Sequence, residues 1–108
     1  MREGLYKMEF STSFGTGSGV INLRDGLARG GNSVLYYVGE YELRDNLLHL
    51  RVKYQRHSHK LNEASVFGLE TAHVTITGEM TDDAIVISGI ADEIPDMLLT
   101  GKITFLTE

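Results

Sequence analysis

A chain of 108 residues makes one domain and one modest core, burying roughly two thirds of the surface its unfolded form exposes. Its formal net charge of −5, with acids and bases interspersed, works against phosphate backbones and sets nucleic acid aside as a partner. The absence of cysteine excludes disulfides and thiolate metal sites. No apolar run has the length of a signal peptide or a membrane span, so the expected home is the cytoplasm, with no membrane partner.

Residues 4–11 alternate Tyr6, Met8 and Phe10 with Lys7 and Glu9, the period of a strand with one dry face. Residues 13–18 read as a flexible glycine-rich turn. Gly15, Gly17 and Gly19 lack the lysine and the following helix of a phosphate loop. A second strand covers residues 19–24, and Asp25-Gly26 is a hairpin signal that accepts positive φ at both central positions. Residues 27–31 form a short strand or bend. The stretch GGNSVLYYVGEYELRDNLLHLRVKY, residues 30–54, reads as two long strands folded over a turn at Asp45-Asn46. In its second half Leu48, Leu50, Val52 and Tyr54 alternate with His49, Arg51 and Lys53.

Residues 57–70, HSHKLNEASVFGLE, are the longest irregular connection, with room for a helical turn at 61–64. Three more strands follow at residues 73–80, 84–91 and 98–107. Thr81-Asp82-Asp83 joins the first two, and residues 92–97, with the only proline, Pro95, join the last two. About eight strands in meander order predict an all-β, eight-stranded antiparallel up-and-down barrel, because closure removes the edges that an open sheet would present. The inward-facing set is Tyr6, Met8, Phe10, Val20, Leu35, Tyr37, Tyr41, Leu48, Leu50, Val52, Val74, Ile76, Leu99, Ile103 and Phe105. Gly39, Gly78, Gly89 and Gly101 fall within strands, at positions suited to barrel corners.

The seventh strand, AIVISGIA, is apolar on both faces, with Ile85 and Ile87 on one and Val86 and Ile90 on the other. Ile85 and Ile87 are assigned to an interface covered by a second subunit. His57 and His59, with His73 or Glu63, are the candidates for a metal site, but proximity secures only two ligands, so no metal or cofactor is expected. Asp82-Asp83 and Asp92-Glu93 fall at turns, where aspartate bonds its own backbone. The basic group Arg51, Lys53, Arg56, His57 and Lys60, beside Tyr54, is expected to keep a barrel edge soluble or to pair with Glu40 and Glu42 across the hairpin. No arrangement of nucleophile, base and acid is visible by pattern, so no catalytic residue is assigned and a non-catalytic interaction module is expected. The alternative is a carrier of a small apolar or amphipathic ligand, with Tyr6, Tyr37 and Tyr41 offering hydroxyls inside an apolar wall.

GLYKMEF near the start, the GSGVINLRDG hairpin, the GGNSVLYYVGEYEL strand, SVFG at residues 65–68 and the later glycine-bearing strands together resemble the GrlR-like family. These are small proteins similar to the negative regulator of a bacterial type III secretion locus. The resemblance covers nearly the whole chain. It implies a lipocalin-like barrel, a bacterial cytoplasmic protein and a homodimer. For the name-giving member it also implies sequestration of a helix-turn-helix transcriptional activator through an acidic cluster in the turn before the long central strand. Here that turn reads Leu43-Arg44-Asp45-Asn46, with a basic residue inside it. The partner-binding positions implied are therefore Glu40, Glu42 and Asp45.

Overall fold

The computed structural model describes residues 1–58 and 66–108. Asp25 and Gly26 take φ of 53° and 77°, and Asp45 and Asn46 take 56° and 62°. This is the turn geometry whose twist matches the strands it joins, and Asp and Asn enter it readily because their short side chains bond locally. These two turns belong to a closed barrel of eight antiparallel strands in sequence order. The strands are β1 (Gly4–Thr12), β2 (Gly15–Arg24), β3 (Leu27–Gly31), β4 (Leu35–Arg44), β5 (Leu47–Arg56), β6 (Thr71–Met80), β7 (Ile85–Ala91) and β8 (Ile94–Thr107). Strand β8 returns to β1, pairing Phe105 with Tyr6 and Gly101 with Phe10, which closes the sheet into a barrel. No helix occurs among the described residues, and the helical turn expected at 61–64 lies outside them.

Two connections are tighter than the sequence suggests. The glycine-rich stretch is strand rather than flexible turn, because Ser13-Phe14 already reverse the chain and Gly15 begins β2 opposite Thr12. Gly17 belongs in that strand for a packing reason: a Cβ there would come within 2.7 Å of the Phe10 ring that lies across from it. Near the other end of the chain, β8 begins at Ile94, so the last turn is only Asp92-Glu93 and Pro95 falls inside the strand. The proline is tolerated because residues 95–97 bulge away from the ladder. Ala91 pairs with Ile94 but Ile90 with Leu98, and β1 meets β8 only from Thr100 onward.

Eleven of the residues expected inside are buried: Tyr6, Met8, Leu35, Tyr37, Leu48, Leu50, Val52, Val74, Ile76, Leu99 and Ile103. Phe10, Tyr41 and Phe105 are partly buried against them. Val20 is a correction: it is 41% exposed, and Ile21 and Leu23 take its place in the core. Directly opposed residues of an antiparallel pair share a face. Tyr6 opposes Ile21, whereas Val20 opposes the outward Lys7. At Gly39 and Gly101 an added Cβ would press on the carbonyl oxygens of Arg51 and Glu9, so neighbouring backbones approach too closely there for any side chain.

Candidate functional site

One end of the barrel is closed by hairpin turns and by the two chain ends, with Arg2 stacked over the Phe105 ring at 4.1 Å and paired to Glu108 at 2.5 Å. The opposite end carries Ser13-Phe14, residues 32–34, residues 57–58 and 66–70 and the Asp92-Glu93 turn. Asn32 organises this end. Its Oδ1 accepts from the backbone N–H groups of Val34 and Leu35, while its Nδ2 donates to the Ser18 carbonyl and to the Tyr37 hydroxyl at 3.0 Å. Burial pushes the Tyr37 phenol up to about 12.

Val66 and Phe67 are buried in the mouth itself, although neither belongs to a strand. The Phe67 ring lies parallel to Tyr54, with centroids 6.4 Å apart and planes inclined by 8°. Thr12 Oγ1 donates to the Val66 carbonyl, Tyr54 donates its hydroxyl to the Leu69 carbonyl at 3.1 Å, and Gly68 takes φ of 72° beneath the Phe14 ring. A cavity of about 40 Å³ with an apolar wall lies among Met8, Ile21, Tyr37, Val52, Phe67 and Leu99, far below the roughly 300–1,000 Å³ of ordinary ligand sites. A larger depression of about 1030 Å³, open to solvent, is lined at the mouth by Phe10, Gly17, Asn32, Val34, Leu35 and Val66 and runs on past Glu9, Ser11, Thr100 and Lys102 on the outer wall.

The three tyrosines expected to line one ligand chamber do not converge. Tyr6 donates its hydroxyl to the Arg2 carbonyl at the closed end, where Tyr41 also lies, its N–H bonded to Gly26. Tyr37 faces Asn32 at the mouth. Burial raises the phenols of Tyr6 and Tyr41 as well.

Strand seven carries the second correction. The ladder turns Ile85 and Ile87 into the core, where Ile87 is 2% exposed between Gly78 and Gly101. The outward residues are Val86, Ser88 and Ile90. Ile90 sits between Thr75 and Leu98, Ser88 between Thr77 and Thr100, and Val86 between Glu79 and Lys102. Ile90 and Leu98 are 44% and 56% exposed. Three strands thus present an uncharged strip of Thr75, Thr77, Val86, Ser88, Ile90, Leu98 and Thr100.

Beside the strip the charges pair differently from the expected hairpin pattern. Arg51 stands opposite Glu40 in register, yet reaches the other way to Asp92 at 2.6 Å and to Thr75. Glu42 takes Arg44 at 2.9 Å. Glu93 clamps His73 through both its backbone N–H, at 2.9 Å, and ring Nδ1, at 2.7 Å. The Arg51 hydrogen bond holds the Asp92 carboxyl below its usual range, and hydrogen bonds from the ring and backbone of His73 do the same for Glu93. Folded values below unfolded ones mean stability that is fully present above about pH 4 and is lost as pH falls through the folded values. The melting temperature should therefore decline below pH 4, and Asp92→Asn should flatten that decline. An identical acid limb in melts from pH 6 to 2 would remove Asp92 from the account.

Glu40, Glu42 and Asp45 are all exposed on the β4–β5 hairpin, with Asp45 in the turn. His57 stacks on Tyr36 and its Nε2 lies 2.9 Å from the Asn32 carbonyl, whereas His73 lies opposite Lys53, so each histidine has its own partners. His59, Lys60 and Glu63 lie outside the described residues. Among those described, no group of three or more metal-ligating side chains is assembled, and no helix is long and apolar enough to cross a membrane. Three features were not anticipated from the sequence: Val66 and Phe67 in the mouth, Asn32 as its hub, and Ile90 with Leu98 outside. The only signal for the first was an apolar pair within a polar loop. No protein-family model matches the chain, and no curated protein is significantly similar to it.

Proposed function

We propose that this barrel is a protein-interaction module that acts from its outer wall, as a homodimer whose subunits meet through the uncharged strip on β6, β7 and β8. The observation that carries the reading is the strip itself, uncharged outward residues of three adjacent strands with Ile90 44% and Leu98 56% exposed. Two chains of net charge −5 repel one another at a distance. A two-fold interface sets the same patch against itself, so a strip of threonine, serine, valine, isoleucine and leucine is where a second copy meets no like charge. Arg51, Glu79 and Lys102 stand around it as a polar rim. The β2–β4 wall is less suited, since its exposed Val20 and Leu27 sit beside Lys7, Arg24 and Glu40.

The finer form of this reading is a cytoplasmic regulator of the GrlR-like kind, binding a transcriptional regulator through Glu40, Glu42 and Asp45. It is supported by the order of the strand-and-turn motifs and by the exposure of those three acids on one hairpin. Sedimentation velocity tests the dimer. The wild type should sediment as a dimer, and the double variant Ile90→Lys/Leu98→Lys as a monomer with its melting temperature nearly unchanged. A monomeric wild type, or a variant that stays dimeric, would sink the assignment.

A further inference from the structure

Strand β2 begins at Gly15, but β3 joins it only from Val20, so residues 15–19 pair with β1 on one side and with no strand on the other. Successive residues of an antiparallel strand turn their N–H and C=O groups to alternate sides. The Ser18 carbonyl faces away from β1, since it accepts the Asn32 side-chain amide at 2.9 Å, and Thr16 has the same parity. Among the described residues nothing bonds the N–H and C=O of Thr16 or the N–H of Ser18, and both residues are exposed. Open stretches elsewhere carry the devices that blunt an edge. Strand β8 has Pro95, Asp96 and a bulge before β1 reaches it at Thr100, and the far end of β4 holds the Glu42 and Arg44 ion pair. Residues 15–19, GTGSG, have no charge, proline, bulge or large side chain to turn another strand away.

We propose that this open edge of β2 is a docking site for an extended, uncharged segment of another protein, which adds to it as a short antiparallel strand. Main-chain groups at strand spacing are matched by another extended backbone, and the surface beside them selects its side chains. The depression of about 1030 Å³ runs along this edge, lined by Thr16, Gly17 and Ser18 and by residues 32–35. Asn32 already makes one bond of an added strand, to the Ser18 carbonyl, and leaves three main-chain groups to a newcomer. A residue set opposite Gly17 shares its inward face, where Phe10, Leu35 and Val66 line the same depression. That place takes an aliphatic side chain. Its two neighbours face outward with Thr16 and Ser18, where the nearby charges of Glu9 and Lys102 lie 4.0 Å apart and satisfy each other. A second copy meeting edge to edge would set Gly17 against Gly17 and leave the aliphatic place empty, so the occupant is a different chain. The site stands without the outer-wall dimer, because β1 separates this edge from β8.

The probe is the neutral peptide acetyl-Thr-Ser-Val-Ser-Thr-amide, titrated to millimolar concentration into the full chain while backbone amides are followed by NMR. The Thr16 and Ser18 amides should shift and exchange more slowly with solvent. Methylating the nitrogens of both peptide serines removes the donors and keeps every side chain, and should weaken binding about tenfold or more. Methylating the valine nitrogen, which points away from β2, should be tolerated. On the protein, Thr16→Pro deletes the open N–H without touching the β1 ladder, and should weaken binding with the melting temperature nearly unchanged. Unmoved Thr16 and Ser18 amides, or equal affinity for the serine-methylated peptide, would overturn the site. Protection of those amides that rises with protein concentration in the absence of peptide would give the edge to a second copy and overturn the choice of occupant. The comparison of the peptides uses the wild type alone, so it decides the matter even if Thr16→Pro fails to fold.

Discussion

Lysine in place of Ile87 is expected to unfold the protein, while lysine in place of Ile90, three residues along the same strand, is expected to leave its stability almost untouched. Ile87 is 2% exposed and is flanked across both ladders by glycines, and with Ile85 and Leu48 it fills the space above Gly78. A lysine there surrenders that packing and either buries a charge with no partner or gives up its proton. Uncompensated buried charges cost about 3–5 kcal/mol, and loss of a core aliphatic adds about 2 or more. Together these approach the whole of a small domain's stability, about 5–15 kcal/mol. Ile90 is 44% exposed beside Thr75, and exposed sites of this sort shift stability by about 0.5 kcal/mol at most. Urea unfolding followed by circular dichroism decides between them. An Ile87→Lys protein with the wild-type midpoint would show that β7 is turned the other way.

The second large effect is expected at Gly39. Its backbone is unstrained, so conformational freedom is not at issue; the obstacle is space. An alanine methyl there would press on the Arg51 carbonyl oxygen and stand 2.7 Å from the Cα of Val52, both of them backbone atoms of β5. Backbone cannot rotate aside as a side chain does, so β4 must part from β5 along a ladder that runs from Leu35 to Arg44. Overpacking typically costs about 1–3 kcal/mol, and a backbone obstacle puts Gly39→Ala at the upper end or beyond. Gly15→Ala is the control, since nothing lies within 4 Å of its added methyl and the expected change is about 0.5 kcal/mol or less. Equal urea midpoints for the two variants would contradict the close approach of β4 and β5.

The barrel was legible because two kinds of signal agree. Asp25-Gly26 and Asp45-Asn46 mark turns that require positive φ at two successive positions, and the alternation through residues 47–54 assigns each side chain to a face. Where one signal stood alone, the reading slipped. Val20 faces outward with Asn22 and Arg24, which share its parity, so the polar pair outweighs the valine. In β7 both faces are aliphatic, so alternation is silent there. Only pairing with Gly78 and Gly101, a property of the closed sheet, shows which face needs bulk. The mouth was illegible for a different reason. Phe67 enters the core from an irregular segment, and no periodicity announces a side chain whose direction is set by the Thr12 and Tyr54 tethers. The outer strip was missed with the faces of β7, because Leu98 acquires its partner Ile90 only across a bulge.

The meander order has a kinetic meaning. Every ladder but one joins strands adjacent in sequence, so most of the sheet can grow hairpin by hairpin from short-range encounters. The exception, β1 with β8, must bring together residues nearly a full chain length apart, such as Leu5 and Thr107. By logarithmic loop scaling, closing a loop ten times longer costs about 2 kcal/mol more, and contacts of long separation slow folding. Until that seam seals, β1 and β8 are two open strand edges, each able to accept the matching strand of another molecule. The step that closes the finished barrel is therefore also the point in its folding at which crowding by its own copies does most harm.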